Sequence, residues 1–178
     1  VKDYFFKTGH KEAVIGLSGG IDSALVAAIA TEALGRDKVH GVSLPSKYSS
    51  DHSLEDAEDL TNALGISYEV IPIQACVDEM EQTLKSCFSG HSANVAEENI
   101  QARIRGDILM ALSNKFGWMV LSTGNKTELA LGYCTLYGDM SGGLSVISDL
   151  SKTDVYTLAH WINSKYPGRI PIGSIKKP

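Results

Sequence analysis

Much that would announce a special environment is missing from this chain. Only three of its 178 residues are cysteine, Cys76, Cys87 and Cys134; they form no CxxC pair and leave an odd count. That suits a reducing compartment better than a disulfide framework. The five histidines show no HxxxH or HxH spacing, which removes the commonest zinc arrangements. Aromatics make up 7% and are not interleaved with basic residues, so a stacking surface for single-stranded nucleic acid is not expected. The net charge of −5, with lysines and arginines scattered, gives nucleic acid no general attraction either. No run approaches the roughly 18 apolar residues of a membrane span. The opening VKDYFFKTGH lacks the basic, apolar and small-residue order of a signal peptide. These absences predict a soluble, cytoplasmic protein without nucleic-acid or membrane partners.

What is present is 43% hydrophobic and 21% charged residues, the balance of one globular domain over 1–178. Apolar runs that read as strands alternate with segments of helical period. The strands are Ala13 to Leu17, Val39 to Leu44, Tyr68 to Ile73 and Trp118 to Thr123. The helices run from Ser23 to Leu34, Ser53 to Leu64 and Asn94 to Phe116, with a last one beginning at Lys152. Such alternation predicts an α/β fold, a Rossmann-like parallel sheet with helices on both faces. Gly35 and Gly65 fall where helices should end. Ser53, Asn94 and Ser151 each precede a helical pattern with an acidic residue three positions on. Phe88 to Ala93 (FSGHSA) reads as a mobile loop. The ending KKP, with no closing element before it, reads as a domain truncated at its C-terminus.

The most informative segment is GLSGGIDS, Gly16 to Ser23, between the first strand and the first helix. Open α/β sheets bind ligands at this end of the strands. Gly19 and Gly20 let backbone N–H groups approach an anion, Ser18 and Ser23 offer hydroxyl donors, and the helix N-terminus adds about half a positive charge. There is no lysine at the end of the loop, and Asp22 would repel phosphate unless a divalent cation stood between them. The pattern therefore points to a magnesium-bridged polyphosphate. Two other interpretations stand beside it. Gly16, Ser18 and Gly20 also satisfy GxSxG, the elbow of a serine hydrolase, although the late histidine that chemistry needs, His160, lies inside a helical pattern. The glycines could also make no more than a tight turn.

SGGIDS (Ser18 to Ser23) resembles the pyrophosphate loop of the N-type ATP pyrophosphatases, which include NAD, GMP and asparagine synthetases and tRNA-thiolating enzymes. Three later segments narrow this: ENIQARIRG (Glu98 to Gly106), LSTGNKTELALGYCTLYGD (Leu121 to Asp139) and DLSKTDVY (Asp149 to Tyr156). Together they resemble the NAD synthetase family, and PSKYSSDHSLEDA (Pro45 to Ala57) with GNKTE is closer to its glutamine-dependent form. The resemblance covers nearly the whole chain. It implies an adenine nucleotide alpha hydrolase-like fold and a carbon–nitrogen ligase that adenylylates deamido-NAD and transfers the acyl group to ammonia, releasing AMP and pyrophosphate. It implies ATP on Gly16, Leu17, Ser18, Gly19, Gly20, Ile21, Asp22 and Ser23, with Thr123 and Lys152. Magnesium would be held by Asp22 and Glu128, and deamido-NAD by Asn99, Arg103, Glu128 and Asp139. Asp22, Glu128 and Lys152 would then be the catalytic set. A homodimer through the long helix, or a larger homo-oligomer, and a separate glutaminase domain supplying ammonia are also implied. GMP synthetase and a non-catalytic nucleotide-binding module remain the alternatives.

From the residues alone, Asn99, Arg103 and Gly106 fall at i, i+4 and i+7 and share one helix face, which could meet a ligand or a neighbouring segment. Arg105 points elsewhere and shares a face with Glu98 and Gln101, where a pair with Glu98 is as reasonable as a functional role. Cys134 has no histidine beside it and reads as a structural thiol.

Overall fold

The computed structural model describes residues 1–176, apart from the side chain of residue 51; Lys177 and Pro178, at the end of the KKP segment, lie outside the described residues. The first half runs α1 (Lys2–Thr8), β1 (Ala13–Gly16), α2 (Ile21–Leu34), a 3₁₀ turn (Arg36–Lys38), β2 (Val39–Ser43), α3 (Asp51–Leu64), β3 (Ser67–Val70) and α4 (Gln74–Leu84). The second runs α5 (Val95–Phe116), β4 (Met119–Ser122), α6 (Lys126–Leu131), β5 (Leu144–Ser145), α7 (Lys152–Lys165) and α8 (Ile172–Lys176).

All five strands are parallel, in the order β3-β2-β1-β4-β5. Alternation along the strands builds two cores. Ala13, Ile15, Met119 and Leu121 pack with α2, α3 and α7 on one face of the sheet. Val14, Val42 and Val120 pack with Val77 and Ile104 of α4 and α5 on the other. The chain steps outward from β1 through β2 to β3, then crosses back to lay β4 on the opposite side of β1. The loops leaving β1 and β4 therefore diverge, and such a reversal opens a crevice at the carboxyl ends of the strands.

The expected elements are present with altered bounds. The third strand ends at Val70 because Pro72 has no N–H to give, although Ile71 and Ile73 still donate to the carbonyls of Ser43 and Pro45 at 2.9 Å each. Asn94 and Ser151 form full capping boxes with Glu97 and Asp154. Ser53 does not cap: α3 begins earlier, with Ser50 at the N-cap position, and Ser53 stands in the first turn. The two-residue strand β5 and helices α1, α4, α6 and α8 were not among the expected elements.

Candidate active site

The loop leaving β1 turns through Gly19, whose φ of 74° lies in the left-handed region and calls for glycine. Its hydroxyls hold the turn together. Ser23 donates to the Gly20 carbonyl at 3.0 Å and lies 3.3 Å from the Ser18 hydroxyl, which in turn accepts from the Gly20 N–H at 3.2 Å. Ser23 is buried, so its hydroxyl shapes the loop and is not a free donor to a ligand; Ser18 is exposed. Among the described residues no histidine bonds to Ser18, and His160 sits exposed inside α7, which removes the hydrolase interpretation.

A cavity of about 420 Å³ opens beside this loop at the crevice. Among the residues expected to bind ligand, Gly16, Leu17, Ser18, Thr123 and Asp139 line it. Asp22, Glu128 and Lys152 are not in that lining but form a cluster of their own, coupled to it through the charge of Asp139. The Lys152 ammonium, from the first turn of α7, donates to Asp22 Oδ2 in the first turn of α2. Asn125, fully buried, donates from Nδ2 to Asp22 Oδ1 at 2.9 Å. Asn125 also begins α6: its Oδ1 accepts from the Glu128 N–H at 3.0 Å, and its own N–H donates to Glu128 Oε2 at 3.1 Å. The starts of α6 and α7 are tied directly, because Lys152 N–H donates to Thr127 Oγ1 at 3.0 Å and Lys126 N–H to the Leu150 carbonyl at 2.8 Å.

Burial raises the Glu128 pKa above the ordinary carboxylate value. The Asn125 N–H pulls it back, the charges of Asp22 and Asp139 push it up again, and Lys152 opposes them. Four charged groups from four segments thus share one field. Among the described residues no group of three or more ligating side chains could hold a metal alone. A pair of carboxylates such as Asp22 and Glu128 nevertheless suits magnesium, which is usually bound through one or two carboxylates together with phosphate oxygens.

Asn99 and Arg103 lie outside the lining and, together with Asp139, hold one loop. Asn99 Oδ1 accepts from the Thr135 hydroxyl at 2.8 Å, Arg103 Nε donates to the Leu136 carbonyl at 3.2 Å, and Asp139 accepts the Thr135 N–H through both oxygens at 2.9 and 3.0 Å. A side chain at Gly106 would stand 2.9 Å from the Gly138 carbonyl oxygen. The shared face of α5 therefore meets a neighbouring segment, the loop 133–141, and presses it against the cavity. Of the three, only Asp139 reaches the lining.

Sequence reasoning missed two residues. Arg105 makes no ion pair with Glu98; its Nε donates to the Leu44 carbonyl at 2.9 Å and its guanidinium lines the cavity, where burial lowers its pKa. No carboxylate pairs with it among the described residues. The other is Asn125, whose signal was present as an asparagine three residues before Glu128, the pattern that identified Asn94.

A model of the NAD synthase family matches residues 1–178. The chain belongs to that family. It is 57% identical over 164 residues to the glutamine-dependent NAD(+) synthetase of Thermotoga maritima, covering 92% of this chain and 28% of that protein. It is 53% identical over 178 residues to that of Synechocystis, covering all of this chain and 32% of the relative. Among solved structures, the glutamine-dependent NAD+ synthetase of Acinetobacter baumannii in complex with ADP superposes with a TM-score of 0.97 at 47% identity, over 99% of this chain and 34% of that one. The chain thus spans about a third of the length of the relatives it matches. The NAD synthases also share the adenine nucleotide hydrolase-like sheet expected from the sequence.

Proposed function

We propose that this chain is the synthetase part of a glutamine-dependent NAD+ synthetase, and that its cavity converts deamido-NAD to NAD+ at the expense of ATP in the cytoplasm. The observation that carries this is the convergence of the β1–α2 loop, Thr123, Asp22, Glu128 and Lys152 at one end of the sheet. The relative from Acinetobacter baumannii was solved in complex with ADP, which supports a nucleotide as ligand.

A carboxylate does not form an amide with ammonia unless an oxygen is first made a leaving group. The nicotinate oxygen attacks the α-phosphorus of ATP, the bond to pyrophosphate breaks, and ammonia then attacks the acyl carbon and expels AMP. Magnesium held by Asp22 and Glu128 would offset the polyphosphate charge. The loop N–H groups and Lys152 bind the departing pyrophosphate, and fixed donors of this kind are usually the largest catalytic contribution. For Lys152 this requires leaving Asp22, so the ion pair describes the resting site. Arg105, half-buried and without a counter-charge, supplies a further cation facing the bound anion. Loop 133–141, held by Asn99 and Arg103, places Asp139 toward deamido-NAD.

A second copy of the chain is the proposed partner at the same edge. Leu131, at the end of α6, and Tyr133, Leu136 and Tyr137, on the loop that α5 holds, stand 78%, 82%, 63% and 82% exposed, an apolar stretch of the sort that marks an interface. Ammonia comes from glutamine hydrolysed in a separate domain.

The test is pyrophosphate release by the complete protein with ATP, magnesium and ammonia, with deamido-NAD, XMP or no acceptor. Release that depends on deamido-NAD and matches NAD+ formed supports the proposal. Release with XMP alone would move the chain to a GMP synthetase activity, and ATP binding with no release would leave a nucleotide-binding module.

A further inference from the structure

Two carboxylates on different segments can share one cation only if something fixes their separation. Asp22 rides on the first turn of α2 and Glu128 on the first turn of α6, and no hydrogen bond joins them directly. The side chain between them is Asn125, which has no exposed surface. Its carboxamide is fully oriented. Oδ1 takes the Glu128 N–H at 3.0 Å, which leaves Nδ2 as the only end able to face Asp22, and it does so at 2.9 Å. The Asn125 backbone N–H then holds Glu128 Oε2 at 3.1 Å. One residue thus touches both carboxylates, Asp22 through its amide nitrogen and Glu128 through its backbone N–H, while its Oδ1 holds the Glu128 backbone.

Capping alone does not account for this. A helix of six residues needs an acceptor for its first N–H groups, and serine or threonine would supply one as well as asparagine does. Neither has a donor that reaches a carboxylate on another element. The amide nitrogen is the part of Asn125 that capping leaves unexplained, and its partner is the carboxylate proposed to hold magnesium.

We infer that Asn125 is a positioning residue for the cation site: its amide holds Asp22 and, through the α6 turn, Glu128 at the spacing the metal requires. This rests on the proposed reaction only for the identity of the cation and nucleotide. Donation to Asp22 Oδ1 also turns Oδ2 toward Lys152, so Asn125 sets the geometry of that pair as well.

The test uses the complete protein and reads Mn2+ binding in the presence of a non-hydrolysable ATP analogue, by electron paramagnetic resonance, alongside thermal melting. Asn125→Ser keeps the cap and loses the amide; a loss of about ten- to a hundredfold in Mn2+ affinity is expected, as for other residues that orient metal ligands. Asn125→Thr fills more of the space and carries the test should the serine variant melt too low. Because Asn125 acts through Asp22, the double variant with Asp22→Asn should bind Mn2+ no more weakly than Asp22→Asn alone. Native affinity in both Asn125 variants, or losses that multiply in the double variant, would overturn the inference. A native protein that binds Mn2+ and nucleotide yet makes no NAD+ would sink the proposed reaction and leave this test intact.

Discussion

Lys152 leaves α7 with 37% of its side chain exposed to meet Asp22, so water screens the pair and it contributes at most about 1 kcal/mol to folding. In the proposed reaction its value is larger, because there it would meet charge that develops on the departing pyrophosphate. Lys152→Ala is therefore expected to shift Tm by no more than about 3 °C while pyrophosphate release falls at least about a hundredfold. Equal losses of stability and activity would assign the lysine to the fold. Glu128 gives the opposite balance. Its pKa is raised in the folded protein, so the folded state binds this proton more tightly than the unfolded chain does. Below the unfolded value near 4.5 both states are protonated and no penalty exists. As pH rises through the folded pKa the ionised group costs stability. Glu128→Gln keeps the capping acceptor and removes the charge. The ligand-free variant should melt roughly 1–2 °C higher at pH 7, with the gain vanishing below about pH 4 and pyrophosphate release largely lost at both. A variant that melts lower at pH 7 would contradict this account of Glu128.

At the scale of elements, the contact between α5 and loop 133–141 turns on one missing side chain. Alanine is the better helix former, by about 1 kcal/mol, yet at Gly106 its Cβ would meet the Gly138 and Tyr137 carbonyl oxygens at 2.9 and 3.1 Å. Backbone cannot move aside as a side chain can. Gly106→Ala is expected to cost about 1–3 kcal/mol, and to raise the KM for deamido-NAD more than the KM for ATP because Asp139 travels with the loop. An unchanged Tm with unchanged KM values would show that the loop does not bear on the site. The sequence made this face of α5 visible through the i, i+4, i+7 spacing, and made the starts of α5 and α7 visible through Asn94 and Ser151. Both signals are local, set by the helix period and by caps within one turn. β5 was not visible, since two residues carry no periodicity and Leu144 and Ser145 are strand only because β4 lies beside them. Arg105 was hidden for a related reason: its partner, the Leu44 carbonyl, arrives from the end of β2, sixty-one positions away in the chain. Ser53 misled because the helix begins three residues earlier, with Ser50 at the N-cap position.

For the whole molecule, the strand order explains why these parts meet. Placing β4 next to β1 on the side away from β2 brings Asn125 and Glu128, from just after β4, beside the loop that follows β1. The same reversal lets α7 deliver Lys152 to Asp22 from 130 positions further along. The site is thus a property of the topology as well as of its motifs, and the central claim is that one crevice both cleaves ATP and activates a carboxylate. The most direct measurement follows oxygen. Deamido-NAD labelled with ¹⁸O in its nicotinate carboxylate is turned over by the complete protein with ATP, magnesium and ammonia, and the products are weighed by mass spectrometry. Attack of the carboxylate on the α-phosphorus predicts one ¹⁸O in the AMP released and none in pyrophosphate. Unlabelled AMP formed alongside NAD+ would contradict activation by adenylylation.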